Sequence, residues 1–162
     1  MRRLLAVVAL GGLALAGAGC ATKPVPPAAA APPSVAPSGD PYAANTHEVC
    51  TAVNGIVTDG VARFGTDAGT LAGHLVGGNK PDADKARAAA LSHLKELAGK
   101  VRDAGQPAAD PTVAGAVGKV ADQFDGLAAD PTLLDGVKTA TDVPAVNRRV
   151  ATATDGLAGV CV

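Results

Sequence analysis

Large side chains are scarce in this sequence of 162 residues. It contains no Trp, one Tyr and one Met, and its only two phenylalanines are Phe64 and Phe124. Positive charge is scarce as well, because residues 46–162 carry 11 Lys and Arg against 14 Asp and Glu, a formal charge of −3. Nucleic-acid binding needs a basic face, and the pair Arg148-Arg149 is too small to supply one. The sequence therefore predicts no nucleic-acid partner and a core with few large groups.

Complete catalytic and metal-binding motifs are also missing. His47-Glu48 begins like the HExxH motif of zinc proteases, but Thr51 stands where the second histidine belongs. Ser92 directly precedes His93, and adjacent residues on a helix do not face one another. The histidines, His47, His74 and His93, are expected to be ordinary surface or partly exposed residues. We therefore predict no catalytic residues, no metal site, no cofactor and a protein that is not an enzyme.

The first 19 residues have the pattern of a secretory signal peptide. Arg2 and Arg3 precede an apolar run of 16 residues from Leu4 to Gly19, and a short basic head before such a run is typical of these segments. A membrane-spanning helix needs roughly 20 apolar residues, so this run is short for one. We predict that residues 1–19 direct export.

The apolar run ends in Ala18-Gly19-Cys20, which resembles the lipobox of bacterial lipoproteins. In that family the cysteine is lipidated and becomes the first residue of the mature protein. The resemblance implies lipidation of Cys20 and anchoring to the outer face of the cell membrane, which two or three acyl chains make stable. The family prefers Leu three residues before the cysteine, where this chain has Gly17. Ala16-Gly17-Ala18 also fits ordinary signal peptidase, which would release a secreted protein beginning at Gly19.

Residues 20–45 combine this cysteine with a spacer rich in proline and alanine. Between Ala21 and Asn45, seven of 25 residues are Pro and eight are Ala. Such a composition cannot build a core and favours extended polyproline-II conformations. We predict a disordered tether that reaches up to about 75 Å from the bilayer, at roughly 3.1 Å per residue.

Residues 46–162 make one domain by length, and its apolar residues recur at helical spacing. The first stripe comprises Cys50, Val53, Val57, Val61, Phe64, Ala68, Leu71 and Leu75. Asn45 and Glu48 are expected to cap this helix, and Gly77-Gly78 to end it. A second helix is expected from Pro81-Asp82 to Gly105, with a Glu96–Lys100 ion pair on its surface.

The phrase AADPT occurs at 108–112 and again at 128–132. Asp followed by Pro is a favourable cap and first helical residue, so both copies predict helix starts, and Pro144 interrupts the last segment. No run of alternating β-branched residues occurs in the sequence, which indicates an all-α domain. Several of its 15 glycines fall inside predicted helices. Each is expected to cost about 0.8 to 1 kcal/mol of helix stability relative to Ala.

With Cys20 lipidated, Cys50 and Cys161 remain to pair with each other, and an exported compartment permits a disulfide. In an up-and-down bundle with an even number of helices, both termini lie at the same end. Cys50 falls in the first turns of the first helix and Cys161 in the last turn of the final one. We therefore predict an up-and-down four-helix bundle closed by a Cys50–Cys161 disulfide, with residues 131–161 as one broken arm.

The order of signal, Pro-rich spacer and helical domain with two cysteines is similar to that of small actinobacterial lipoproteins. This resemblance implies a location and no activity. We expect a non-catalytic interaction or structural module that contacts another envelope protein or the cell wall. The alternative is an extracytoplasmic module that binds an apolar small molecule or lipid between its helices, because few large side chains would leave internal space.

Overall fold

The computed structural model of the chain describes residues 40–161, so the predicted signal peptide, Cys20 and most of the predicted tether lie outside the described residues. This part of the chain is helical. It forms α1 (Ala43–Val76), α2 (Lys80–Gly105), α3 (Pro111–Ala129) and α4 (Val143–Ala151), with short 3₁₀ helices at Ala140–Asp142 and Thr152–Leu157 on either side of α4.

The helices form an up-and-down bundle with four arms. α2 packs between α1 and α3, and the fourth arm, residues 131–161, closes the ring because α4 contacts α1 while Thr152–Leu157 contacts α3. Cys50 and Cys161 are joined by a disulfide, with their Cα atoms 5.4 Å apart. The predicted four-helix bundle closed by this disulfide is therefore confirmed.

The core lies on the faces that the apolar spacing predicts. Phe64 of α1, Leu94 of α2 and Phe124 of α3 have no exposed surface, and no polar or charged residue from 40 to 161 is buried. In the first stripe, Val61 and Leu75 are partly buried and pack against the core, and the other members belong to it. The core is thus built mainly from Val, Leu and Ala around two aromatic rings.

Close helix contacts account for only some of the helical glycines. A Cβ atom on Gly60 would lie 2.5 Å from Leu97 Cδ1 of α2, and one on Gly105 would lie 2.5 Å from Val117 Cγ1 of α3. At these two positions glycine lets neighbouring helices approach. Four other glycines predicted inside helices would meet nothing within 4 Å, namely Gly55, Gly99, Gly115 and Gly118, so no intramolecular contact compensates for their low helix propensity.

Helix α1 begins before the start that the sequence predicts, and Asn45 is not its cap. It begins at Ala43 after a turn at residues 40–42, in which Asp40 Oδ1 accepts a hydrogen bond of 2.9 Å from the N–H of Tyr42. Asn45 lies inside the first turns and instead contacts the loop between α2 and α3. Its Nδ2 donates to Pro107 O at 3.0 Å, and its Oδ1 accepts from the N–H of Ala109 at 2.7 Å.

The two AADPT segments are followed by different structures. Asp110 caps α3 as predicted, with its Oδ1 2.7 Å from the N–H of Thr112. The second prediction is wrong, because residues 131–136 form consecutive turns. Asp130 makes the same bond to the N–H of Thr132, at 2.9 Å. The apolar stretch after Thr132 ends at Gly136. It is too short to offset the cost of nucleating a helix.

Asp130 also links α3 to α4, since its carboxylate accepts a bond of 2.8 Å from Arg149. The pKa of Asp130 lies below its ordinary value of 3.8, first because of the hydroxyl and N–H of Thr132 and then because of Arg149. A carboxylate with a lowered folded pKa stabilises the fold above its unfolded pKa, and this contribution is lost as the pH falls through the folded value.

We therefore expect Asp130→Asn to be less stable than the wild type near pH 6 and to lose less stability on acidification below about pH 3.8. Urea unfolding midpoints at neutral and acidic pH measure both differences. Asp84→Asn, on the exposed side of α2, is the control and should follow the wild type. If Asp130→Asn also followed the wild type at both pH values, the folded Asp130 carboxylate would not carry this linkage.

Candidate functional site

A cleft between α1 and α2 brings a cluster of ionisable side chains together on the surface of the described residues. Its volume is about 190 Å³. Ile56, Gly60 and Leu97 line its apolar part, and the close approach of Gly60 to Leu97 sets the spacing of the helices there. We call this depression the α1–α2 cleft.

Five ionisable residues complete the lining of the α1–α2 cleft, namely Asp59 and Arg63 from α1 and His93, Glu96 and Lys100 from α2. On each helix these residues repeat at steps of three or four, which places them on one face. The cleft therefore has an apolar floor and charged walls of both signs.

His93 lies between two charged residues of the facing helix. Its Nδ1 bonds to Asp67 Oδ2, and its Nε2 lies 2.8 Å from Arg63 Nη2. The side chains of His93 and Asp67 are each 20% exposed, so this contact is partly shielded from water. The three residues connect α1 to α2 beside the cleft.

These contacts determine where the imidazole proton of His93 lies. A guanidinium group only donates hydrogen bonds, so Nε2 must accept from Arg63 and carries no proton. Nδ1 then carries the proton and donates a hydrogen bond to Asp67 Oδ2. Among the ion pairs found between residues 40 and 161, none gives Arg63 a carboxylate partner.

An Asp–His pair is also an arrangement found in enzymes, where the outer ring nitrogen serves as a general base. Here Nε2 faces Arg63 and not a hydroxyl or thiol group. Ser92 lines a different groove, between α2 and α3, which agrees with the expectation that it does not face His93. The geometry therefore positions a guanidinium at the edge of the cleft and does not assemble a nucleophile with its base.

The charges around the cleft are not paired with one another. Glu96 and Lys100 do not form the predicted ion pair, and Asp59 is likewise outside the ion pairs found between residues 40 and 161. Arginines elsewhere in the bundle bind carboxylates: Arg87 bonds Asp135 at 2.9 Å, and Arg102 bonds Asp125 at 2.7 Å. The cleft thus groups charges of both signs that are outside the ion pairs of the described residues, as are Lys95 and Arg148 elsewhere on the surface.

Other features of the described residues bear on the predicted sites. The structure brings Cys50 and Cys161 together, whereas Cys20 lies outside the described range. Within residues 40–161, no three His, Cys, Asp or Glu side chains are arranged to share a metal ion. In the same range, no helix combines the length and apolarity that crossing a membrane requires.

The cluster of Arg63, Asp67 and His93 was not predicted from the sequence, which indicates only an ordinary surface or partly exposed His93. One signal was available, because Asp59, Arg63 and Asp67 repeat every four residues along one flank of α1. That repeat indicates a charged flank, but the partner of the flank depends on how α2 is rotated against it.

Comparisons of the chain with protein families, with curated proteins and with solved structures find no match in any of the three. The class that the fold defines is a disulfide-closed, all-α bundle with a mixed-charge cleft between its first two helices.

Proposed function

We propose that this chain is a lipid-anchored protein of the cell envelope, and that its bundle acts outside the cytoplasm as a non-catalytic interaction or structural module. The observation that carries the proposal is the Cys50–Cys161 disulfide. Structural disulfides persist in oxidising compartments and are rare in the cytosol, which supports export. The lipobox-like Ala18-Gly19-Cys20 and the Pro-rich spacer supply an anchor and a tether.

Contact with another envelope protein or with the cell wall fits a bundle held away from the bilayer on such a tether. The alternative of an apolar ligand receives less support, because the α1–α2 cleft has charged residues on both walls. A lipid chain in that cleft would remove the charges of Asp59, Arg63, Glu96 and Lys100 from water without pairing them, which is costly.

Replacement of the proposed lipidation site tests the anchor. In a host that processes lipoproteins, we expect the wild type in the membrane fraction with two or three acyl chains on Cys20, and Cys20→Ser released into the soluble extracytoplasmic fraction. Intact mass spectrometry should also show the gain of two hydrogen atoms on reduction. Ala21→Ser, which changes the neighbouring residue and keeps the cysteine, should remain acylated.

Two outcomes would contradict the proposal in different ways. An unlipidated wild type beginning at Gly19 would overturn the anchor and indicate a secreted protein. A cytoplasmic wild type that retains residues 1–19 would overturn export altogether. If acylation is found, crosslinking in the membrane fraction identifies the envelope component that the bundle contacts.

A further inference from the structure

We propose that the α1–α2 cleft binds a small zwitterion, with the anionic group of the ligand on Arg63 and its ammonium group between Asp59 and Glu96. The proposal depends only on residues of the folded bundle. It is therefore independent of whether Cys20 is lipidated.

Arg63 is the group that would receive the anion. Its Nη2 lies 2.8 Å from His93 Nε2, so a ring nitrogen of the facing helix, and not a carboxylate, orients the guanidinium. Asp67, one helical turn away on α1, is engaged by Nδ1 of the same imidazole. A guanidinium presents five N–H donors, so further donors remain for a carboxylate or phosphate, which guanidinium binds with favourable geometry.

Asp59 and Glu96 are the groups that would receive the ammonium. They line the same cleft from facing helices, and neither is in an ion pair with another residue of the range 40–161. Asp59 precedes Arg63 by four residues on α1, which corresponds to about 6 Å along the helix axis. The two charges of the ligand should therefore be separated by a similar distance.

The rest of the cleft favours a ligand without net charge. Lys100 is the second cation of the lining, so that two cations and two carboxylates face the cleft beside His93. A simple anion would meet Asp59 and Glu96, and a simple cation would meet Arg63 and Lys100, with like-charge repulsion in either case. Ile56 and Leu97 form the floor, which suits a short aliphatic chain between the two charged groups.

A short ω-amino acid has this chemistry, and 4-aminobutyrate is the probe that we would use. Titration into ¹⁵N-labelled protein, followed by amide NMR spectra, should give saturable shifts confined to residues 56–63 and 93–100. Butyrate and butylamine, which each carry one of the two charges, should bind at least about tenfold more weakly, a difference of about 1.4 kcal/mol. The binding constants come from the same spectra.

Two substitutions test the assignment of the charges. Arg63→Gln and Glu96→Gln should each weaken 4-aminobutyrate binding at least about tenfold, whereas Arg148→Gln, an exposed arginine outside the cleft lining, should leave it unchanged. The amide spectrum of each variant reports whether the bundle is still folded, and Glu96→Gln keeps the Arg63–His93–Asp67 contacts as a second variant.

Three results would overturn the proposal. The first is the absence of saturable shifts. The second is that butyrate binds as tightly as 4-aminobutyrate, which would mean an adventitious ion only. The third is that the folded Arg63→Gln variant binds 4-aminobutyrate as tightly as the wild type. None of these results would affect the proposed anchor, because the mass of the acylated protein is measured separately.

Discussion

Reduction of the Cys50–Cys161 disulfide is expected to lower the melting temperature of the bundle by well over about 10 °C. The two cysteines are 111 residues apart in the sequence. In the chain-entropy description, a bridge across about 100 residues stabilises the fold by about 4.7 kcal/mol, and engineered bridges often give less. For a domain of this size, each kcal/mol corresponds to a shift of roughly 4 °C or more.

Because the core contains few large side chains, the disulfide should supply a large share of the free energy of unfolding. The only aromatic side chains of the core are Phe64 and Phe124, and a Cβ atom on Gly55 or Gly115 would meet nothing within 4 Å, so no close packing offsets the low helix propensity of these glycines. Net stabilities of domains amount to only about 5–15 kcal/mol. The bridge is therefore a substantial part of what keeps the bundle folded.

Thermal melts followed by circular dichroism, with and without reductant, measure the effect. The double variant Cys50→Ala/Cys161→Ala is the control, because it should melt near the reduced wild type and should not respond to reductant. An unchanged melting temperature of the reduced wild type would show that packing alone holds the four arms together.

Phe124→Ala is expected to destabilise the bundle by about 3–5 kcal/mol. Phe124 has no exposed surface and is one of the two phenylalanines in the chain. Its removal deletes a large fraction of the bulky core and leaves a cavity that small neighbours fill poorly. Domains have net stabilities of only about 5–15 kcal/mol, so the variant should lose a large fraction of its free energy of unfolding.

Urea unfolding measures the change. Phe124→Leu keeps an apolar side chain and should cost much less than the alanine variant, whereas Gln123→Ala, next to it on the exposed side of α3, should stay within about 0.5 kcal/mol of the wild type. A loss below about 1 kcal/mol for Phe124→Ala would mean that the core closes around the missing ring.

Helix positions and the closing bridge could be predicted from the sequence because they depend on local patterns. The spacing of Val53, Val57 and Phe64 identifies the buried face of α1 wherever α1 packs. Gly78, with φ of +69°, adopts the left-handed backbone that favours glycine after a helix. Asp40-Pro41 repeats the pair found at the cap of α3, but here it forms a turn and α1 begins two residues after Pro41.

The fourth arm shows where local patterns become ambiguous. The same AADPT phrase precedes a 19-residue helix in one copy and a series of turns in the other. In both copies the Asp carboxylate accepts a hydrogen bond from the N–H of the Thr two residues later. The segments that follow the two phrases differ. Val113 and Val117 lie in α3, whereas Leu133 and Leu134 are buried in turns. The phrase itself predicts the bond after the Asp, and the length of the apolar stretch that follows, which ends at Gly136 in the second copy, distinguishes the two outcomes.

The sequence by itself determined the helical class, the apolar faces and the pairing of Cys50 with Cys161, since each depends on spacing along one chain segment or on the number of cysteines. Only the tertiary structure decided that His93 lies between Arg63 and Asp67, and that Asn45 bonds the loop at Pro107. These contacts join residues 26 to 62 positions apart. They depend on the rotation and register of one helix against another, which the periodicity of neither helix specifies.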